Sequence, residues 1–250
     1  MVSNSDKKRD CTNNENVQKM IDLGQASFYI DVPSLAGEEF ESYSTRLFDQ
    51  WDGHLAEALA LPDYSLSLVV DEGSIKGKGR IATLATVLYF GIGQYGSFVS
   101  GIETIWSQVS AAGTFLGKAA AAPFGAEKVK PKITKQGGDL GKLRKLFDQV
   151  QSGRLSVDQA MQQAERMLGN RVDVDFLNGL DASLRSAPSY HQQTPIFPPH
   201  EFSDPLLSVS EGLRPSPSRQ PSRRQPSLAL RVEVWRESKG SRRNVRMQQI

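Results

Sequence analysis

The chain has 250 residues, with 30 Lys/Arg against 28 Asp/Glu and a formal net charge of +2. That length suffices for one well-formed core with a smaller second unit. Its single cysteine, Cys11, excludes an internal disulfide or a cysteine-built zinc site.

The charge is unevenly placed. From Ser186 onward ten Lys/Arg face five Asp/Glu, and nine of the 13 prolines fall in the same stretch, so composition and charge change together. The opening residues, MVSNSDKKRDCTNNEN, carry charges with no apolar core behind them. This argues against a secretory signal and for a cytoplasmic start.

Residues 1–25 read as disordered, with Val17, Met20, Ile21 and Leu23 forming a short helix that closes at Gly24. A small α+β unit is expected over residues 26–80. Ala26 to Val32 (ASFYIDV) is rich in aromatic and β-branched residues and stops at Pro33, which predicts a strand. Over Glu38 to Leu61, Phe40, Tyr43, Leu47, Trp51, Leu55, Ala58 and Leu59 share one helical face. Ser34 is the expected cap, Glu38 and Glu39 suit the positive end of the helix dipole, and Pro62 stops the helix. Core packing accounts for this stripe better than a partner groove does.

Tyr64 to Val70 and Ser74 to Arg80 predict two strands joined by a turn at Asp71-Glu72-Gly73. Side chains alternate along a strand, so Lys76, Lys78 and Arg80 fall on one face. That basic stripe suits contact with an anionic surface, lipid headgroups before nucleic acid.

Residues 81–126 form the apolar segment. Ile81 to Ile102 holds no Asp, Glu, Lys or Arg, and as a helix it would run roughly 33 Å, about one hydrocarbon core. Three readings compete. Gly91, Gly93 and Gly96 spell the dinucleotide-binding GxGxxG, but Glu103 comes too early and Glu127 too late to hold a ribose. A membrane helix fits the length, and Gly93, Gly96, Ser97, Ser100 and Gly101 give the four-residue small spacing of membrane helix association. A buried helix of a soluble domain is the third, with glycines admitting a close neighbour. The membrane reading ranks narrowly above soluble burial.

Residues 127–139 read as a basic linker. Within 140–185, Leu140, Leu143, Leu146, Phe147 and Val150 mark one amphipathic helix ending at Gly153, and Ser156 with Gln159 make a capping box for the next. Val172, Phe176, Leu177, Leu180 and Leu184 complete a helical hairpin or three-helix unit. Residues 186–250 read as a disordered Pro/Ser/Arg-rich tail in which Leu228 to Trp235 alternates as an isolated strand.

No catalytic motif, metal set or cofactor signature emerges; Asp173 and Asp175 read as acids at a helix start. The expected fold is therefore α+β. A small antiparallel sheet with a covering helix is followed by a long glycine-containing apolar helix, a helical hairpin and a disordered basic tail. The first-ranked function is a non-catalytic, membrane-associated protein on the cytoplasmic face. It would act through helix–helix association of residues 81–126 and a protein partner of the 140–185 helices. Second comes a soluble intracellular interaction or regulatory protein whose apolar segment is core or oligomer interface. Nucleic-acid binding through the basic tail comes third, and truncation at Arg185 is its test.

Overall fold

A computed structural model describes residues 20–125, 129–187 and 229–250. Among the described residues six strands form one sheet in the order β4-β1-β3-β2-β5-β6, with every neighbouring pair antiparallel. The strands are β1 (Met20–Ile30), β2 (Ser65–Asp71), β3 (Ile75–Leu84), β4 (Lys132–Gln136), β5 (Leu230–Arg236) and β6 (Asn244–Gln249). The helices are α1 (Gly37–Ala58), α2 (Ala85–Gly93), α3 (Phe98–Ala121), α4 (Gly138–Gln151), α5 (Val157–Leu168) and α6 (Val174–Ser186). The fold class is α+β, as the patterning implies.

One face of the sheet is covered. Alternation in β2 turns Leu66, Leu68 and Val70 inward, and β5 adds Val232 and Val234, all buried. The IKGKGR stretch of β3 shows how this face accepts its helices. Lysines point one way and glycines the other, and a Cβ at Gly79 would stand 2.6 Å from Leu116 of α3 and 2.8 Å from Trp51 of α1. At Gly77 the Phe28 ring fills the space, 2.0 Å from where a Cβ would be. Helix α3 lies along β1 and β4 in the same way, its Gly113 against Ala26 and its Gly117 against Ile133.

The apolar stripe of α1 is core: Phe40, Tyr43, Leu47, Trp51 and Leu55 are buried. The helix starts at Gly37 with Ala36 at the N-cap and no side-chain cap bond, so Ser34 does not cap it. Glu38 and Glu39 still occupy the first turn.

The uncharged run Ile81 to Ile102 is not one helix. It is the end of β3, the nine-residue α2 and the start of α3, with Gly96 at φ +76 in the connection and Ser97 capping α3. Charges are absent because Ile81, Ala85, Leu88, Ile92, Phe98 and Ile102 are all buried in the protein's own core. No helix among the described residues is long and apolar enough to cross a membrane. The GxGxxG spelling dissolves likewise: Gly91 lies inside α2, where it packs on Leu61 rather than in a strand-to-helix turn.

Three boundaries differ from expectation. Met20 to Leu23 are the start of β1, not a helix. A bulge between Asp22 and Gly24 breaks the period-two alternation, so the apolar spacing imitates a helix. The expected linker holds β4, whose residues pair with β1 from Gln25 to Tyr29. Most consequentially, β5 and β6 lie in the stretch read as a disordered tail, and β5 is not isolated, being seated between β2 and β6. Removing everything after Arg185 would therefore take away two strands. The disorder expected for residues 1–19 and 188–228, and Cys11 with it, lies outside the described residues.

The 140–185 helices form as expected. Ser156 and Gln159 make both capping-box bonds, Gly153 has φ +70, and the Asp173 side chain accepts from the Phe176 N–H at 2.9 Å. This unit docks on the sheet through the buried carboxylate of Asp139. It accepts from Arg171 Nη1 at 2.6 Å and from the Asp22 N–H at 3.3 Å, with Lys142 Nζ 3.1 Å away.

Candidate site: the uncovered face of the sheet

The second face of the sheet carries no helix among the described residues. Pairing registers place its side chains in three rows across the strands. One row reads Gln136, Gln25, Arg80, Ser67, Trp235 and Asn244. The next reads Thr134, Ser27, Lys78, Val69, Glu233 and Arg246, and the last Lys132, Tyr29, Lys76, Asp71, Arg231 and Gln248. Residues two apart on one strand stand about 6.6 Å apart, and neighbouring strands about 4.8 Å. The surface is thus a rigid grid of side chains held by backbone ladders.

Charge on this grid is polarised. Asp71 pairs with Arg231 at 2.6 Å, Asp22 with Arg80 at 3.3 Å, and Glu233 stands opposite Arg246 in the register. Lys76, Lys78 and Lys132 have no acidic partner within 4 Å among the described residues and are exposed. The β4-β1-β3 half is consequently positive and the β2-β5 half mixed. The Asp71 hydrogen bonds and charge raise the Arg231 pKa further, so that cation is permanent.

Two aromatic rings interrupt the polar surface. Tyr29 in β1 has Lys132 Nζ 6.0 Å from its ring centre, and Trp235 in β5 has the Arg246 guanidinium at 5.6 Å. Each ring stands beside a cation, and the two lie on opposite halves of the grid.

The sequence placed Lys76, Lys78 and Arg80 on one face, and they occupy it together. It could not supply Lys132, Arg246, Tyr29 or Trp235, which reach the face only through pairings of β1 with β4 and of β2 with β5, across more than 100 residues. The alternation of LRVEVWR was the available signal, since it turns Arg231, Glu233 and Trp235 to one side.

The residues expected to associate helices are placed otherwise. Gly93, Gly96, Ser97 and Ser100 are exposed around the α2–α3 connection. There the Ser97 side chain accepts from the Ser100 N–H at 3.1 Å. Gly101 alone is buried, and it lets α3 cross α2 closely, since a Cβ would meet Ile92 O at 2.7 Å. Among the described residues no group of three or more His, Cys, Asp or Glu could hold a metal ion. Of the histidines, His54 stacks on Phe115 with ring centres 4.1 Å apart.

No protein-family model, curated protein or solved structure matches this chain.

Proposed function

We propose that this is a non-catalytic binding protein that holds single-stranded nucleic acid on the uncovered face of its sheet. The observation that carries the reading is the combination of Lys76, Lys78 and Lys132 with Tyr29 and Trp235 on one sheet face that no helix covers among the described residues. Extended single strands need cations at a regular repeat for their phosphates and aromatic faces for their bases, and an open sheet supplies both at fixed spacing. A flat face of this kind enters neither groove of a duplex readily, so single strands are favoured.

Headgroups of an anionic membrane would meet the same cations, and this is the second reading. It ranks second because, among the described residues, the two rings of the three rows, Tyr29 and Trp235, each stand beside a cation rather than in an apolar cluster, and their aliphatic member, Val69, is only partly exposed.

The test is fluorescence anisotropy of the full chain with a 12-nucleotide uridine oligomer, the same length of duplex, and phosphatidylserine vesicles as competitor. Preferential binding of the single strand supports the proposal. Binding to vesicles alone replaces it with the headgroup reading, and binding to none of the three ends both.

A further inference from the structure

One end of the uncovered face is not flat. Between β1 and β5 the small residues Ser65, Ser67 and Ala82 form a floor, with Met20 on one side and Trp235 and Glu237 on the other. The result is a groove of about 330 Å³, within the usual range for a small-ligand site. Its origin lies in the register: Ala82 stands opposite Ser65, and Arg80 opposite Ser67, which itself faces Trp235. Three short side chains in adjacent positions leave a depression that longer ones would fill.

The groove is chemically asymmetric. Trp235 offers an aromatic ring, Glu237 an exposed carboxylate, and the Ser65 hydroxyl is already engaged with Ala82 O at 3.2 Å. Arg80 meets Asp22 through Nε at 3.3 Å and otherwise borders the groove. An aromatic ring with a carboxylate two residues further along the same side, and a cation at the mouth, suits a planar ring that donates hydrogen bonds along one edge and carries a phosphate behind it.

We infer that this groove is a nucleobase subsite selective for guanine, resting on the reading of the face as a nucleic-acid surface. The ring lies against Trp235 and its Watson–Crick edge meets Glu237. Guanine presents two adjacent donors there, N1–H and the 2-amino group, which match the two oxygens of a carboxylate. Adenine presents one donor beside an acceptor, uracil one donor between two acceptors, and cytosine one donor beside an acceptor. A carboxylate at that edge therefore repels part of every base except guanine. Arg80 lies where the phosphate of that nucleotide leaves the groove toward Lys78.

The experiment compares the full-length chain with Glu237→Gln, an exposed position whose change leaves the sheet intact. Both are titrated with a uridine 12-mer, with the same oligomer carrying one central guanosine, and with guanosine and uridine monophosphates. The wild-type chain should prefer the guanosine oligomer by roughly tenfold, the discrimination of one good bidentate pair. It should also prefer guanosine monophosphate over uridine monophosphate. Glu237→Gln should lose both preferences while binding the plain uridine oligomer at least as tightly, because it removes a negative charge beside the phosphate chain. Equal affinity of the wild type for both oligomers and both mononucleotides overturns the inference, as does a guanine preference that survives in Glu237→Gln. Failure of the broader reading looks different: neither oligomer binds, and the mononucleotide titration then decides the groove by itself.

Discussion

Asp139 ties the helical unit to the sheet. It is 4% exposed and receives the Arg171 guanidinium, the Lys142 ammonium and the Asp22 N–H. Burial alone would raise its pKa. The hydrogen bonds from Arg171 and Lys142 outweigh that and hold it below its ordinary 3.8. Asp139→Asn leaves Arg171 uncompensated and should cost about 3 kcal/mol in urea denaturation, the low end for a broken buried pair because Arg171 keeps some water. The sign with pH follows from the lowered value. The carboxylate's contribution is complete above about pH 5, where the unfolded-state carboxyl is also ionised, and is lost as pH falls through the folded-state pKa. The stability gap between wild type and Asp139→Asn should thus be constant from neutrality to about pH 5 and shrink below that. A gap that widens on acidification contradicts this assignment. Nothing in the sequence singles out Asp139, because its partners at positions 22 and 171 meet it only after the chain has closed. Gly77 and Gly79 were equally silent: their alternation with lysines marked a strand, but the Phe28 ring and Trp51 that require them come from other elements. Gly79→Val should destabilise by about 2 kcal/mol or more through overpacking, measurable as a lowered Tm at unchanged fold.

At the level of elements, helices were more legible than strands. The stripe of α1 and the capping box of α5 are local signals, carried within one or two turns, and they survive folding unchanged. Edge strands are not local. KITKQ of β4 is five residues, mostly exposed, and becomes a strand only because β1 offers it an edge. The uncharged run misled for a related reason. Length without charge is shared by a lipid-facing helix and by consecutive core elements, and only the break at Gly96 and Ser97 separates the two. The hairpin of β5 and β6 is tied down by more than its ladder. Arg236 lies 2.5 Å from Asp52 of α1 and 5.5 Å from the Tyr64 ring, and the Lys239 N–H donates to Asp63 at 2.6 Å. Deleting residues 229–250 bares the β2 edge and the apolar face that Val232 and Val234 cover. The truncated chain should aggregate or bind a hydrophobic dye where the full chain does neither. If it stays a monomer of unchanged stability, the hairpin is dispensable and the sheet assignment there is wrong.

For the whole molecule, the sheet and the 140–185 helices share one core: Phe98 of α3 packs on Phe147 and Phe176, and Trp106 lies against Gly137 and Gly141. Unfolding followed by tryptophan fluorescence and by far-ultraviolet circular dichroism should therefore give coincident transitions. Separate midpoints would mean that the helical unit folds alone. With the described helices on one side, a charged and aromatic sheet face lies on the other, uncovered among the described residues, and the functional account rests on that face. Lys76 and Lys78 are exposed, unpaired with acids among the described residues, and remote from the core, so Lys76→Gln with Lys78→Gln changes charge and little else. The most direct measurement is the salt dependence of binding to a uridine 12-mer for the wild type and this double variant. Each single-strand phosphate that the protein ceases to neutralise lowers the slope of log K against log salt by about 0.7. The double variant should bind more weakly with a slope shallower by about 1.4; identical affinity and slope for the two proteins would contradict the account.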